Sequence, residues 1–454
     1  MENEVLMKNC TAFLDETMNL NDLPGLAIGV SIGGTSVSDG SAGVVPDTAT
    51  PKATAEFIGV RGYQDHAART PLAEDDIFHC ASVSKLFTSS AIMKLVEAGV
   101  LDLNARLCDI LPDLCIVDRR YEEIRLWNML THTSGLGDVE DYHWYDFETD
   151  EDSLRRYVYD NDEVLAQPML WEPQETRFRY SNIAYEILGQ IVSEYSVHMP
   201  GSTSVTAGHE SDAAGHAPSV ANQVRDEGSR LSYEDFVARY LLEPAGMTSS
   251  TMKTFERPGA PDFASNEHMA KPHEKKSDRS IGPVHYYPYT RQHAPSSTLT
   301  SNVSDLLRWG RAHLASARGD VSVVDGGVCS SSGCGPGAAS GRGAGAASDC
   351  APTAEASAQL LRPETYRKIW RPYATVPNNG EQMGLGWFMR EQKVTSDDGT
   401  SRTYQLCGHE GTDDGFRASF WICPELDMVT VVLSNLSGAP VKRISKKLFD
   451  RITR

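Results

Sequence analysis

Runs of β-forming residues sit at the two ends of this 454-residue chain, and helical periodicity fills the space between. Leu26–Ile32 and Glu56–Tyr63 read as strands near the start, with a Gly33-Gly34 turn after the first. Leu385–Arg390, Thr403–Cys407, Phe416–Ile422 and Met428–Ser434 read as strands near the end, with a turn at Cys423-Pro-Glu-Leu426. Helical patterns occupy Val5–Met18, Ile183–Val192, Tyr233–Leu242, Val303–Ala315 and Val441–Ile452. Ser82 to Ala98 carries Leu86, Phe87, Met93, Leu95 and Val96, a largely buried helix stopped by Gly99. This order implies an α+β fold in which one sheet is built from both termini and a helical lobe is inserted between. The expected organisation is a single catalytic unit, residues 1–454. Its sheet lobe spans about 1–75 and 360–454, and its helical lobe about 76–315.

Two segments stand outside this plan. From Ser316 to Ala358, 27 of 43 residues are Gly, Ala or Ser, too little apolar surface to offset the entropy of ordering. A milder case runs over about 198–229. Both read as surface insertions. Gly341-Arg-Gly343-Ala-Gly345 resembles a phosphate cradle only superficially, since it follows no strand and opens no helix.

Composition then removes whole classes of function. Forty-two Lys and Arg against 62 Asp and Glu leave a net charge of −20, and no basic run is long enough to track a phosphate backbone or an anionic membrane. Nucleic acid and membrane are therefore not expected partners. The nine cysteines are odd in number, irregularly spaced and free of CxxC pairs, so neither a disulfide framework nor a zinc site is expected. No metal and no cofactor is called for. Glu2, Glu4, Asp15 and Glu16 break up the N-terminal apolar residues, unlike a secretory signal. The apolar stretches are strand-sized, so the expected compartment is the reducing cytoplasm.

Chemistry concentrates at three places. Ser82-Val-Ser-Lys85 opens the buried helix, where side chains three apart share a face. A lysine in a first turn is at the wrong end of the helix dipole, where an acidic residue is expected. Burial and that dipole would both lower its pKa and make an amine able to take the serine proton. The Ser82 N–H at the same terminus could receive an oxyanion. The plain alternative makes Ser82 a cap and Lys85 a surface charge. A second S-x-x-K, Ser250-Thr-Met-Lys253, lies in a turn-like run where nothing would hold lysine against hydroxyl.

Tyr180-Ser-Asn182 directly precedes the Ile183–Val192 helix. Either Ser181 or Asn182 simply caps it, or Tyr180 is a phenol near Lys85 and Asn182 holds substrate or lysine. Tyr159-Asp-Asn161 is a decoy of the same form. Gly408-His-Glu-Gly-Thr412 stands at the end of one strand-like segment and close before the next. Gly411 would admit a substrate against the backbone, the Thr412 N–H could complete an oxyanion hole, and His409 could polarise tyrosine or substrate. A turn with a surface histidine is the other reading. His285, Tyr286, Tyr287 and Tyr289 either line an acyl pocket or form an exposed aromatic loop.

In this order, the motifs resemble the serine β-lactamase and penicillin-binding-protein superfamily. The closest branch holds class C β-lactamases, D-alanyl-D-alanine carboxypeptidases, D-aminopeptidases and esterases. Asp75 to Lys85, Leu130-Thr-His-Thr-Ser-Gly-Leu136, Leu242-Glu-Pro-Ala-Gly-Met247, Gly384-Leu-Gly-Trp387 and Ser434-Asn435 carry the resemblance through the chain. It implies a β-lactamase/transpeptidase-like fold with a five-stranded antiparallel sheet, flanking helices and a cleft site. It also implies Ser82 as acylated nucleophile, Lys85 as general base, Tyr180 and Asn182 as the Y-x-N element, and His409 in place of the lysine of K-T-G.

No Lys-Thr/Ser-Gly occurs here, and Glu410 replaces a hydroxyl that would bind a substrate carboxylate. A glutamate there repels such an anion unless its side chain turns away. The expected function is a serine hydrolase of small esters or amides. A β-lactamase or D-amino-acid peptidase is the runner-up, and a catalytically idle scaffold member of the fold the third possibility. Oligomeric state is left open.

Overall fold

The computed structural model describes residues 3–33, 55–146, 148–200, 230–255, 268–319, 359–377, 379–396 and 398–454. Its main elements begin with helix α1 (Asn3–Asn21) and strands β1 (Gly25–Ile32) and β2 (Ala55–Asp65). Helices α2 (Ser84–Glu97), α3 (Asn182–Tyr195) and α4 (Val303–Arg318) follow. The chain ends with β3 (Phe388–Thr395), β4 (Ser401–Asp413), β5 (Phe416–Cys423), β6 (Met428–Ser434) and α5 (Val441–Thr453).

β1 and β6 are buried along nearly their whole length, without the alternation of a one-sided sheet. Strands read this way when helices cover both faces. Here β1 pairs antiparallel with β2 on one side and with β6 on the other, Leu26 opposite Ser434 and Ile32 opposite Met428. That pairing closes the first residues of the chain onto the last. The order β2-β1-β6-β5-β4-β3 makes six long strands, and two-residue strands at Thr70–Pro71, Gln382–Met383 and Ala374–Thr375 extend the edges to nine. The five strands implied by resemblance are thus exceeded, although all six segments read from sequence pair.

One face of the sheet packs on α1 and α5 through Leu6, Phe13, Leu14, Leu448 and Phe449. The other packs on α2, α3 and α4, where Phe87 stacks on Trp309 at 4.1 Å. α4 lies close on the sheet because Gly29 offers no side chain: a Cβ there would stand 2.3 Å from Val303 Cγ1. Among the described residues, no helix is long and apolar enough to cross a membrane.

Three expectations shift. β3 begins at Phe388, not Leu385, because Gly384–Trp387 closes a tight turn with Gly386 at φ +82. The helix expected over Tyr233–Leu242 is α-helical only to Val237 and then widens into a π turn. α4 continues through the supposed start of the second insertion to Arg318, where Gly319 caps it at φ +78. Ser316 Oγ accepts the Leu360 N–H at 3.0 Å, and Arg318 pairs with Asp427. Gly34, most of both insertions and the Gly341–Gly345 string lie outside the described residues.

The Ser316–Leu360 hydrogen bond brings the two flanks of the second insertion together. Deleting residues 320–358 and joining the flanks with a short Gly-Ser linker is expected to leave a folded protein, because loop length costs little. Its melting temperature should fall within a few degrees of the full chain. Extending the deletion to 316–358 removes the Ser316 and Arg318 contacts and should lower it further. Equal melting of the two deletions would count against this boundary.

Candidate active site

Ser82 lies in a single 3-10 turn, Ala81–Val83, that leads into α2, so Lys85 stands in the first turn of the α-helix. No acidic residue occupies that turn, and no side chain caps it. Lys85 Nζ donates to Ser82 Oγ at 3.0 Å and to the Ser296 carbonyl at 2.8 Å. The amine is fully buried and lies over the rings of Tyr180 and Tyr185, at 5.0 and 5.5 Å. Burial is the dominant influence on it and pulls it down to about 8, against the opposing pull of Glu186, Asp138 and Asp413. At neutral pH this gives roughly 300-fold more free amine than an ordinary lysine would have. Lys85 is therefore not the solvated surface charge of the plain reading.

The turn is held from several sides. Ser84 Oγ donates to the Ala81 carbonyl at 2.7 Å and accepts the Leu299 N–H at 2.9 Å. The Cys80 N–H in turn donates to the Leu299 carbonyl at 2.8 Å. His79 and Asp413 form a buried pair at 2.7 Å that ties the segment before Ser82 to the end of β4. Ala81 sits at φ +49, a left-handed conformation that costs a non-glycine residue of order 1–3 kcal/mol and persists only where surroundings enforce it.

Tyr180 reaches the same place from the segment before α3, its ring 5.0 Å from Lys85 Nζ and its phenol close enough to Ser82 to feel that hydroxyl. Burial raises its pKa well above the usual phenol range, so it is a protonated phenol at neutral pH. Its ring stacks on His132 at 4.2 Å. His132 itself has φ +54, accepts the Ser181 N–H on Nδ1 at 3.2 Å, and takes the Arg179 N–H on its carbonyl at 2.8 Å. The Leu130–Leu136 segment thus clamps the chain on both sides of Tyr180.

The capping and the approach to Lys85 fall to different residues of Tyr180-Ser-Asn182. Ser181 caps α3, accepting the Ala184 N–H at 3.2 Å, while Tyr180 faces Lys85. Asn182 does not reach the lysine through its amide N–H: Nδ2 and the backbone N–H both donate to Asp138 Oδ1, at 2.8 Å each. Asn182 Oδ1 is buried and without a partner among the described residues.

The Gly408–Thr412 motif is not at a strand end. β4 runs on to Asp413 and turns at Asp414-Gly415, with Gly415 at φ +80, into β5. Side chains in a strand alternate, so His409 and Glu410 point to opposite faces. His409 lies near Tyr180 and Phe388, with ring centroids at 6.1 and 4.9 Å. Its Nδ1 donates to the Glu410 carbonyl at 2.6 Å, leaving Nε2 as a buried lone pair with no partner among the described residues. Burial pulls His409 down to about 3, so the ring is neutral. Glu410 turns to the far face, where Oε1 accepts the Trp421 indole N–H at 2.8 Å beside Arg390 at 3.5 Å.

Gly411 is needed, but for the nucleophile's own turn: a Cβ there would stand 2.2 Å from the Cys80 carbonyl oxygen. Thr412 is exposed beside it. The decoys are engaged elsewhere. Ser250 Oγ bonds Ser301 and Asp305 at 2.8 Å, and Lys253 pairs with Asp235 at 3.0 Å. Tyr159 donates to Glu194 at 2.6 Å, and Asn161 caps a short helix. Of the aromatic cluster, Tyr287 and Tyr289 are core residues against Phe255, Tyr286 bonds Asp414, and His285 is exposed.

The Beta-lactamase family model matches residues 11–207 and 226–453. The chain belongs to the beta-lactamase family. It is similar to Penicillin-binding protein 4* of Bacillus subtilis (strain 168), 23% identical over 256 residues, 55% of this chain and 48% of that protein. It is also similar to Esterase EstB of Burkholderia gladioli, 31% identical over 146 residues, 29% of this chain and 36% of the esterase. The chain spans less than half the length of these curated relatives. A D-stereospecific amidohydrolase from Streptomyces sp. superposes with a TM-score of 0.62 at 15% identity, covering 98% of each chain. That likeness shows the fold, which is the β-lactamase/transpeptidase one. The family is one of hydrolases, and the esterase and the amidohydrolase are hydrolases by name.

Sequence reasoning missed Asp138, Glu186, Ser296, His132 and the His79–Asp413 pair. Only His132 and His79 left a trace, in segments already quoted for the family resemblance.

Gly411→Ala should destabilise the protein by about 1–3 kcal/mol, because the Cys80 backbone cannot yield without moving Ser82. Thr412→Ala, on an exposed side chain, should stay within about 0.5 kcal/mol. Chemical denaturation reads both. Equal stability of the two variants would mean that the contact relaxes freely.

Proposed function

We propose that this protein is a serine hydrolase that cleaves small esters or amides through an acyl-enzyme on Ser82. The observation that carries this reading is Lys85 Nζ at 3.0 Å from Ser82 Oγ, with burial pulling the amine down to about 8. In this reading the free amine takes the Ser82 proton as Oγ bonds to the substrate carbonyl carbon. The backbone N–H groups of Ser82 and Thr412 receive the oxyanion. Tyr180, whose phenol lies close to Ser82, passes a proton to the departing alcohol or amine, and His409 Nε2 orients that phenol. Water then attacks the acyl-enzyme, gives its proton to the same groups, and releases the acid and Ser82.

Charge favours neutral substrates. His409 is uncharged, Glu410 faces away, and Asp413 lies near enough to act on Lys85. These positions therefore offer no cation to a substrate carboxylate, which supports esters and amides over carboxylate-bearing β-lactams or peptide C-termini. One observation favours a D-amino-acid amide as the second reading: Asn182 Oδ1 remains to accept a substrate N–H.

Ser82→Ala should abolish p-nitrophenyl butyrate hydrolysis with the fold intact, and Lys85→Ala should be nearly as damaging, since serine and base act as one unit. Ser250→Ala should change the rate little. Because the base must be deprotonated, kcat/KM should fall as pH drops below about 8 and level off above it. Mass spectrometry should find a slow ester's acyl group on Ser82, and nitrocefin should turn over far more slowly than the ester. Loss of activity in Ser250→Ala with Ser82→Ala active would overturn the assignment.

A further inference from the structure

Behind Lys85, away from Ser82, lies a buried carboxylate. Glu186 is on α3, one turn beyond Asn182 and on the same face, and has no exposed surface. Its Oε1 accepts the Ser296 hydroxyl at 2.5 Å and His293 Nδ1–H at 3.1 Å. His293 Nε2 in turn lies 3.2 Å from the Gln292 side-chain nitrogen. Glu186 Oε2 has no partner among the described residues. A buried carboxylate is costly unless a cation lies near it.

A lysine amine lies one residue away through Ser296. That residue's hydroxyl binds Glu186 while its carbonyl accepts from Lys85 Nζ at 2.8 Å. α2 grips the same stretch a second time, where Thr88 Oγ1 donates to the Pro295 carbonyl at 2.6 Å. Of the groups that face Lys85, Tyr180, Tyr185, His132 and His409 surround it as rings. Asp138 and Asp413 supply further negative charge from the loop before α3 and from β4, and Glu186 has the largest pull of the three on the lysine.

We infer that Glu186 is a positioning residue for Lys85: through Ser296 it holds the amine on Ser82, and its charge stabilises the ammonium formed when Ser82 gives up its proton. The inference rests on the reading of Lys85 as the base. In that step the Ser82 O–H bond breaks, an N–H bond forms on Lys85, and the oxygen electron pair bonds to the carbonyl carbon. The positive charge so created lies against a fixed carboxylate, not in a neutral cavity.

The test compares the intact chain with Glu186→Gln, which keeps an oxygen for Ser296 and His293 but removes the charge. The Lys85 side chain is titrated by NMR of 13Cε-labelled lysine, with Lys85→Arg to assign the signal. Its midpoint should drop by about one pH unit on loss of one nearby opposite charge. The acid limb of kcat/KM should move down in parallel, while the plateau rate falls several-fold. Ser296→Ala, which keeps the charge, should slow acylation with a much smaller movement of the midpoint. Glu186→Asp should behave between the parent and Gln, and serves if Gln fails to fold. An unmoved Lys85 midpoint in the Gln and Asp variants overturns the inference whatever the activity. A moved midpoint in a parent that never acylates Ser82 instead overturns the acyl-enzyme reading and leaves the counter-charge standing.

Discussion

Everything around Ser82 depends on one expensive act: a lysine amine is taken wholly out of water. A fully desolvated ammonium costs several kcal/mol even after relaxation, and proteins meet that cost by pairing the charge or by shedding the proton. This site does some of each. Burial brings Lys85 down to about 8, while carboxylates on three separate elements stop it falling further. The result is an amine poised close to neutrality, where proton transfer is cheapest in either direction. Neither half alone achieves this. An unpaired buried lysine becomes too weak a base, and a fully paired one never loses its proton.

Holding that balance requires atoms from distant parts of the chain to meet within a few ångströms. The pairing of β1 with β6 ties the termini together and makes the sheet on which α2 and α4 rest. β4 then comes so close to the turn before α2 that only glycine fits at 411. His79 and Asp413 join the same two segments through a hydrogen bond of 2.7 Å. Two non-glycine residues, Ala81 and His132, are held left-handed on either side of the site. Such strain is stable only where many contacts over-determine the backbone, and it sits directly beside Ser82 and Tyr180.

What the sequence made legible follows from range. The strands, the buried helix after Ser82 and the rejection of Ser250–Lys253 all rest on periodicity or local turn chemistry. Each of those was visible within a dozen residues. Asp414-Gly415, followed by an apolar run, is a hairpin signal that marks the end of β4, but the glycines at 408 and 411 masked the strand before it. The partners of Lys85 were not visible at all. Glu186, Ser296 and Asp413 lie 101, 211 and 328 positions away, and nothing in their local sequence marks them. Asp138 illustrates the same limit: it takes the Asn182 amide that the motif alone would have assigned to substrate or lysine.

Residue 410 shows how a single step of register can reverse the meaning of a charge. Read as part of a turn, Glu410 threatens any anionic substrate. Placed in the middle of a strand, it must face away from His409, because the side-chain period is two. The far face receives it with Arg390, itself stacked on Trp421 at 3.9 Å and bonded to Ser445 of α5. Burial pulls Arg390 down only to about 10, so it remains a cation at neutral pH and compensates the glutamate. The acidic residue therefore belongs to the joint between sheet and α5, not to the cleft. What remains on the cleft side at this position is the neutral ring of His409. Asp413, four residues on and therefore on the same face of β4, adds a carboxylate to that side, bonded to His79 at 2.7 Å.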